Sequence, residues 1–219
     1  MSFLTLPTVS SVPAAPKSVS NDGDRSSRAP LAASARAIRT AAFLVLAGCG
    51  LAIDLSSKHY IFAWRTWEAF SEHEIWWLID EHFGIQTSVN PGALFGMGAG
   101  YTWGFVTLSF LALVAIGYFV FLRPQLLDWW LTMALGLVTG GILGNLYDRL
   151  GFWRTATAPQ GLYGVRDWIY VRFEGVPFFD PWPNFNIADC CLVIGACLLA
   201  IHSLRAEPKE RSASKLASP

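Results

Sequence analysis

The chain has 219 residues, 53% hydrophobic and only 15% charged, with a mean hydropathy of +0.39. That is too apolar for an ordinary soluble domain and points to a membrane protein. The formal net charge is zero and no basic patch is present, which excludes nucleic acid as a partner.

Residues 1–35 are rich in Ser, Ala and Pro and lack apolar periodicity, so a disordered tail is expected. Thr40 to Ile53 carries no charge, and the first span is predicted over about 37–57. Within it, Leu46-Ala47-Gly48-Cys49 resembles a lipobox, which would make Cys49 a lipid anchor. The apolar run continues past Cys49 and three more spans follow, which argues against that reading. Asp54 and Lys58 close the span on one helical face. They are either a pair at the membrane interface or groups facing a polar cavity.

Residues 59–100 form a long connection, acidic and aromatic at first (Glu68, Glu72, Glu74, Trp76, Trp77, Asp80, Glu81). Its second half, Gly84 to Gly100, is expected to form a short strand pair or sheet lying on the membrane, with a Gly-rich turn. Asn90-Pro91-Gly92 by itself is no more than a turn signal. The second span is predicted over 102–122 and the third over 129–148. Gly136, Gly140 and Gly144 form a small-residue stripe on the third, suited to close helix packing. Asn145 and Asp148 end it, followed by Arg149. Residues 150–183 are a polar and aromatic connection that contains Val165-Arg166-Asp167. The fourth span is predicted over 184–204, with Asn186 and Asp189 repeating the Asn-x-x-Asp spacing at its start. A short basic tail, 206–219, follows.

The Trp residues cluster at the ends of apolar runs, as an interfacial belt would. The four Cys (49, 190, 191, 197) lie within apolar runs and read as small hydrophobes. No His spacing supports a metal site. Lys and Arg are dense before the first span and after the fourth, and sparse for their length in the connections 59–100 and 150–183. The positive-inside rule then places both termini in the cytoplasm. Asp54, Asp148 and Asp189 reach one membrane depth near the outer face, where Asn90 and Asp167 join them. Converging intramembrane carboxylates suit either a peptidase, in which two acids share a proton and activate water, or a proton or ion pathway in a small transporter. Convergence alone leaves the two nearly even.

The motifs Asp54-x-x-x-Lys58, Asn90-x-Gly92-Ala93-x-Phe95-Gly96, Gly144-Asn145-x-x-Asp148-Arg149, Val165-x-Asp167 and Phe185-Asn186-x-Ala188-Asp189 occur in the order seen in lipoprotein signal peptidases (signal peptidase II). The resemblance covers roughly residues 40–205. It implies an all-α membrane protein with four transmembrane helices, a small extracytoplasmic β element and both termini cytoplasmic. The peptidase domain would be 36–205, in the bacterial cytoplasmic (inner) membrane. It implies an aspartic endopeptidase that cuts prolipoproteins before a diacylglyceryl-modified Cys. Membrane lipid and the inhibitor globomycin would be its other partners, and the protein a monomer without metal or cofactor. Asp167 and Asp189 match the catalytic pair. Asp54, Lys58, Asn90, Gly92, Asn145, Asp148, Arg149 and Asn186 match supporting or substrate-binding positions. Asp148, with Asn145 and Arg149, is expected to shape the site and hold the substrate, and Asn186 to orient Asp189. The chain departs from the family pattern at Pro91, Leu94, Cys190 and Arg166, which stands where Val is usual. On a strand, Arg166 would point away from Asp167; pointing inward, it would disturb the pair. The stretch 154–163 is longer than usual.

Overall fold

The computed structural model describes residues 22–66, 70–92, 98, 100–124, 128–155, 158, 161–177 and 180–216. Residues 1–34 and 35–219 form separate units. The Ala93, Leu94, Phe95 and Gly96 positions and residues 1–21 lie outside the described residues, as does Glu68.

Helix α1 runs over Asp22–Trp64, α2 over Thr102–Gly117, α3 over Trp129–Arg149 and α4 over Ile187–Leu216. A π-helical turn, Tyr118–Leu122, continues α2. The apolar portions long enough to cross a membrane are Ala33–Trp64, Thr102–Leu122, Trp129–Arg149 and Ile187–Arg205. The chain is therefore a multi-pass membrane protein. Helical structure already begins at Asp22, inside the stretch expected to be a disordered tail, and α4 continues to Leu216. Ala, Arg, Lys and Glu in these stretches are good helix formers, which offsets the lack of an apolar stripe.

Large apolar side chains point outward along the spans, among them Val45, Leu111, Val114 and Val193, each more than half exposed. In a bilayer that surface meets lipid. The interior is small. Phe43 of α1, Ile116 of α2 and Val120 of the π-helical turn form a buried cluster against Leu131, Leu135, Val138 and Ile142 of α3. Helix α3 is the central element, and its glycines allow this. A Cβ at Gly140 would lie 2.9 Å from the Ala47 carbonyl of α1, and one at Gly144 would collide with the Asp54 carboxylate. The glycine stripe is a packing feature, as its spacing predicts.

Four strands form one antiparallel sheet: β1 (Trp76–Ile79), β2 (Phe83–Asn90), β3 (Val165–Val171) and β4 (Trp182–Phe185), in that order. A strand pair is expected within Gly84 to Gly100. Its partner strand β1 lies instead in the preceding aromatic stretch, and the second long connection supplies β3 and β4. The expected four spanning helices with a small β element are present, and the β element is a four-stranded antiparallel sheet that draws on both long connections. The cause is long-range pairing. Ser88 opposes Asp167 and Val89 opposes Arg166 across β2 and β3, about 80 residues apart in sequence. In β4, Asn184 Nδ2 donates to Gln86 O and Ser88 Oγ at 3.1 Å each, tying that strand back to β2. The sheet delivers Asp167 to the ends of α3 and α4.

Candidate active site

The start of α4 is held by its own sequence. Asn186 is its N-cap residue. The Asp189 main-chain N–H donates to Asn186 Oδ1 at 2.9 Å, and the Asn186 main-chain N–H donates to Asp189 Oδ2 at 3.1 Å. This is a reciprocal capping box. One more free amide at this helix start, Ala188 N–H, donates to Asp54 Oδ1 at 2.9 Å. Asp54 therefore joins α1 to α4 and places negative charge at a helix N-terminus, where the dipole favours it.

Asp54, Lys58 and Asp148 are buried together. Lys58 Nζ donates to Asp54 Oδ2 at 2.7 Å and to Asn145 Oδ1 at 3.1 Å, and lies 3.3 Å from Asp148 Oδ2. Asp148 is mainly held by Arg166, whose Nε and Nη2 donate to Oδ1 at 3.1 and 2.8 Å. The Arg166 main-chain N–H adds a bond of 2.9 Å to Oδ2. The guanidinium lies 5.4 Å from the Trp153 ring and 5.8 Å from that of Phe62. Strand alternation thus turns Arg166 away from Asp167, as the sequence analysis expects for an extended segment. The result is a buried row of alternating sign, Asp54, Lys58, Asp148, Arg166, with two charges of each kind.

Asn186 also connects the two acids expected to be catalytic. Its Nδ2 donates to Asp167 Oδ1 at 2.6 Å and to Asn145 Oδ1 at 3.2 Å. Asn145 Nδ2 in turn donates to Asp189 Oδ1 at 2.8 Å. Asp167 is 2% exposed. Burial, and then the nearby Asp189 carboxylate, push its pKa up to about 8, while hydrogen bonds from Asn186 and Asn90 act in the opposite direction. An acid of this kind keeps its proton at neutral pH beside a second carboxylate.

A cavity of about 610 Å³ opens over this pair. Asn90, Gly92, Asn145, Arg149, Asp167 and Asp189 reach it, and Cys190, Val193, Ile194 and Phe185 give it an apolar wall. Arg149 Nη2 donates to Gly92 O at 3.2 Å, and its guanidinium lies 5.1 Å from the Phe105 ring, so this cation braces the rim. Asn90 Oδ1 accepts the Gly92 N–H at 3.0 Å. Asp54, Lys58, Asp148 and Asn186 do not line the cavity; they lie behind it as its support. Asp148, expected to hold substrate, is instead 1% exposed and occupied by Arg166 and Lys58.

Two residues add to the expected site: Arg166, the partner of Asp148, and Trp153, whose Nε1 donates to the Asp148 carbonyl at 3.1 Å and to that of Gly164 at 3.3 Å. A charged residue at an apolar strand position was the available signal. Trp182, Pro183 and Asn184 of β4 also line the cavity. They carried no sequence signal beyond lying just before Asn186.

A family model described as signal peptidase (SPase) II matches residues 46–205. A lipoprotein signal peptidase of Rhodopirellula baltica is 47% identical over 166 residues, 75% of this chain and 72% of that protein. One of Rhodococcus jostii is 37% identical over 188 residues, covering 84% of this chain and 82% of its own length. Two solved structures, both described as a bacterial membrane enzyme, are similar in fold. One has a TM-score of 0.59 at 26% identity and covers 74% of this chain and 87% of its own; the other has 0.57 at 27%, covering 75% and 93%.

Proposed function

The chain belongs to the signal peptidase II family, and from that premise we propose that it removes signal peptides from prolipoproteins by an aspartic mechanism, with Asp167 and Asp189 as the catalytic pair. The observation that carries this reading is the pairing itself: a buried acid whose pKa is pushed up to about 8 shares one cavity with a second carboxylate.

Asp167 enters the reaction protonated. Asp189 accepts two N–H donors at a helix start, an arrangement suited to a carboxylate. A water held between them loses a proton to Asp189 as its oxygen attacks the scissile carbonyl carbon. Asp167 donates its proton to the carbonyl oxygen, giving a neutral gem-diol intermediate. This collapses as the C–N bond breaks, with Asp189 passing its proton to the leaving amine and Asp167 taking one back from the diol. Asn186 holds both acids while this proceeds. The new amine belongs to a diacylglyceryl-modified Cys, whose acyl chains would rest against the apolar wall at Val193 and Ile194.

The same reading places the protein in the bacterial inner membrane as a monomer that globomycin inhibits. Both termini would be cytoplasmic and the site near the extracytoplasmic face, which the distribution of Lys and Arg supports. The membrane peptidase domain is assigned to about 36–205. The test is to express Asp167→Asn and Asp189→Asn separately and follow prolipoprotein processing on a gel. Each variant should lose activity by about 10²–10⁴-fold, the usual worth of one acid–base group. Normal processing by either would remove that residue from the pair.

A further inference from the structure

A second cavity, of about 480 Å³, lies on the other side of Arg166 from the catalytic pair, between α1, the end of α3 and the segment that follows α3. The peptidase mechanism does not use it. Its lining includes Arg154, His59, Ser56 and Tyr60, with Arg166 at the back, and no carboxylate lines it among the described residues. The charge of Arg166 is already met by Asp148. Arg154 has no salt-bridge partner among the described residues: its guanidinium lies 4.2 Å from the Tyr163 ring, and its Nε has no hydrogen-bond partner there. A buried donor without an acceptor marks a place where a ligand, ion or water belongs. A guanidinium suits the paired oxygens of a phosphate.

The surroundings indicate what carries that phosphate. Tyr60 and Phe152 of the cavity lining are 72% and 64% exposed. They lie near the ends of α1 and α3, where aromatic rings sit at headgroup level. The volume is in the range of small-molecule sites. We propose that this cavity binds a phosphate group, carried by a phospholipid of the surrounding bilayer. The site is distinct from the substrate cavity and independent of the peptidase reading. It assigns a use to Arg154, which the catalytic site leaves unexplained.

The test uses the full chain in nanodiscs of phosphatidylglycerol, phosphatidylethanolamine and diacylglycerol, ejected into a native mass spectrometer. Arg154→Gln should retain about tenfold less phospholipid than the unaltered protein, the loss given by one charge-assisted hydrogen bond. Diacylglycerol adducts should not change, and Arg154→Lys should keep most of the phospholipid, which separates lost charge from lost fold. Displacement of the lipid by added inorganic phosphate would keep the phosphate chemistry and overturn the lipid source. Equal phospholipid retention by Arg154→Gln, or a parallel loss of diacylglycerol, would overturn the site.

Discussion

Asp167 is nearly enclosed beside another carboxylate, so ionising it is costly. Its pKa is pushed up to about 8 in the fold, against an ordinary value of 3.8. Between these two values the folded state holds a proton that the unfolded chain has released, so stability falls as pH rises through that window and levels off above it. Asn cannot ionise. Asp167→Asn is therefore expected to melt higher than the unaltered protein in detergent at pH 8, by roughly 2–4 °C for each kcal/mol relieved. The gap should close towards pH 4, and an equal gap at both pH values would contradict this account. Arg166 gives a second prediction. Arg166→Val leaves Asp148 with Lys58 and a main-chain amide only, and breaking such a buried pair costs about 3–5 kcal/mol. In an Asp148→Asn background the same substitution should cost much less, which a double-mutant cycle on thermal unfolding would measure. The acids were legible in the sequence because carboxylates in apolar runs stand out. Their division into a cavity pair and a supporting row follows from the family resemblance and not from spacing, because it depends on which way β3 faces.

The two Asn-x-x-Asp stretches show how little spacing says about a helix until its direction is known. At Asn186 the motif opens a helix, and the two side chains satisfy each other's amides. At Asn145 it closes one, and both side chains reach to other elements. Asn186 has two duties that substitution can separate. Asn186→Ser keeps a hydroxyl for the cap but loses the donor to Asp167, so stability should hold within about 1 kcal/mol while processing falls sharply. Asn186→Ala should lose both. Comparing melting temperature with processing rate for the two variants decides the point. The four spans were legible from length and hydropathy alone, with ends displaced by a few residues. The sheet was only half legible: Val165 to Val171 is rich in β-branched and aromatic residues, but which strand it pairs with is a tertiary decision.

Across the whole bundle, the end opposite the Asp167 and Asp189 cavity is fastened separately. Asp128 caps α3 by accepting the Leu131 N–H at 2.8 Å, and His202 of α4 lies 2.8 Å from its other oxygen. Arg205 stacks 4.2 Å from the Trp130 ring. Partial burial works against the charged form of Asp128, but the Leu131 amide and His202 outweigh it and hold its pKa below the usual carboxylate value. Its contribution is therefore present above that value and lost as pH falls through the lowered one. Asp128→Ala should cost about 1 kcal/mol at neutral pH, less in acid, and leave processing unchanged. A loss of processing at constant stability would show instead that this end communicates with the site.

The Asp54–Lys58 pair has one further consequence, which concerns how the protein is made. Two opposite charges four residues apart on one helix neutralise each other before any other span exists. The first span can leave the translocon already paired, and it keeps that contact while Asp148, Asn145 and the start of α4 join it once the later spans arrive. A lone charge raises the insertion cost by about 2.5–3.5 kcal/mol at mid-span and by less towards the end of the span, where Asp54 lies. Lys58→Leu, which strands Asp54, should therefore lower the inserted fraction of a chain truncated after the first span, read by glycosylation mapping, whereas Asp54→Leu combined with Lys58→Leu should restore it. An unchanged inserted fraction for Lys58→Leu would show that the pairing is needed only in the finished protein. The cavity between Asp167 and Asp189 is thus completed only when the fourth span arrives, so a chain that has made only its first span holds its polar residues in a form that can enter the membrane before that cavity exists.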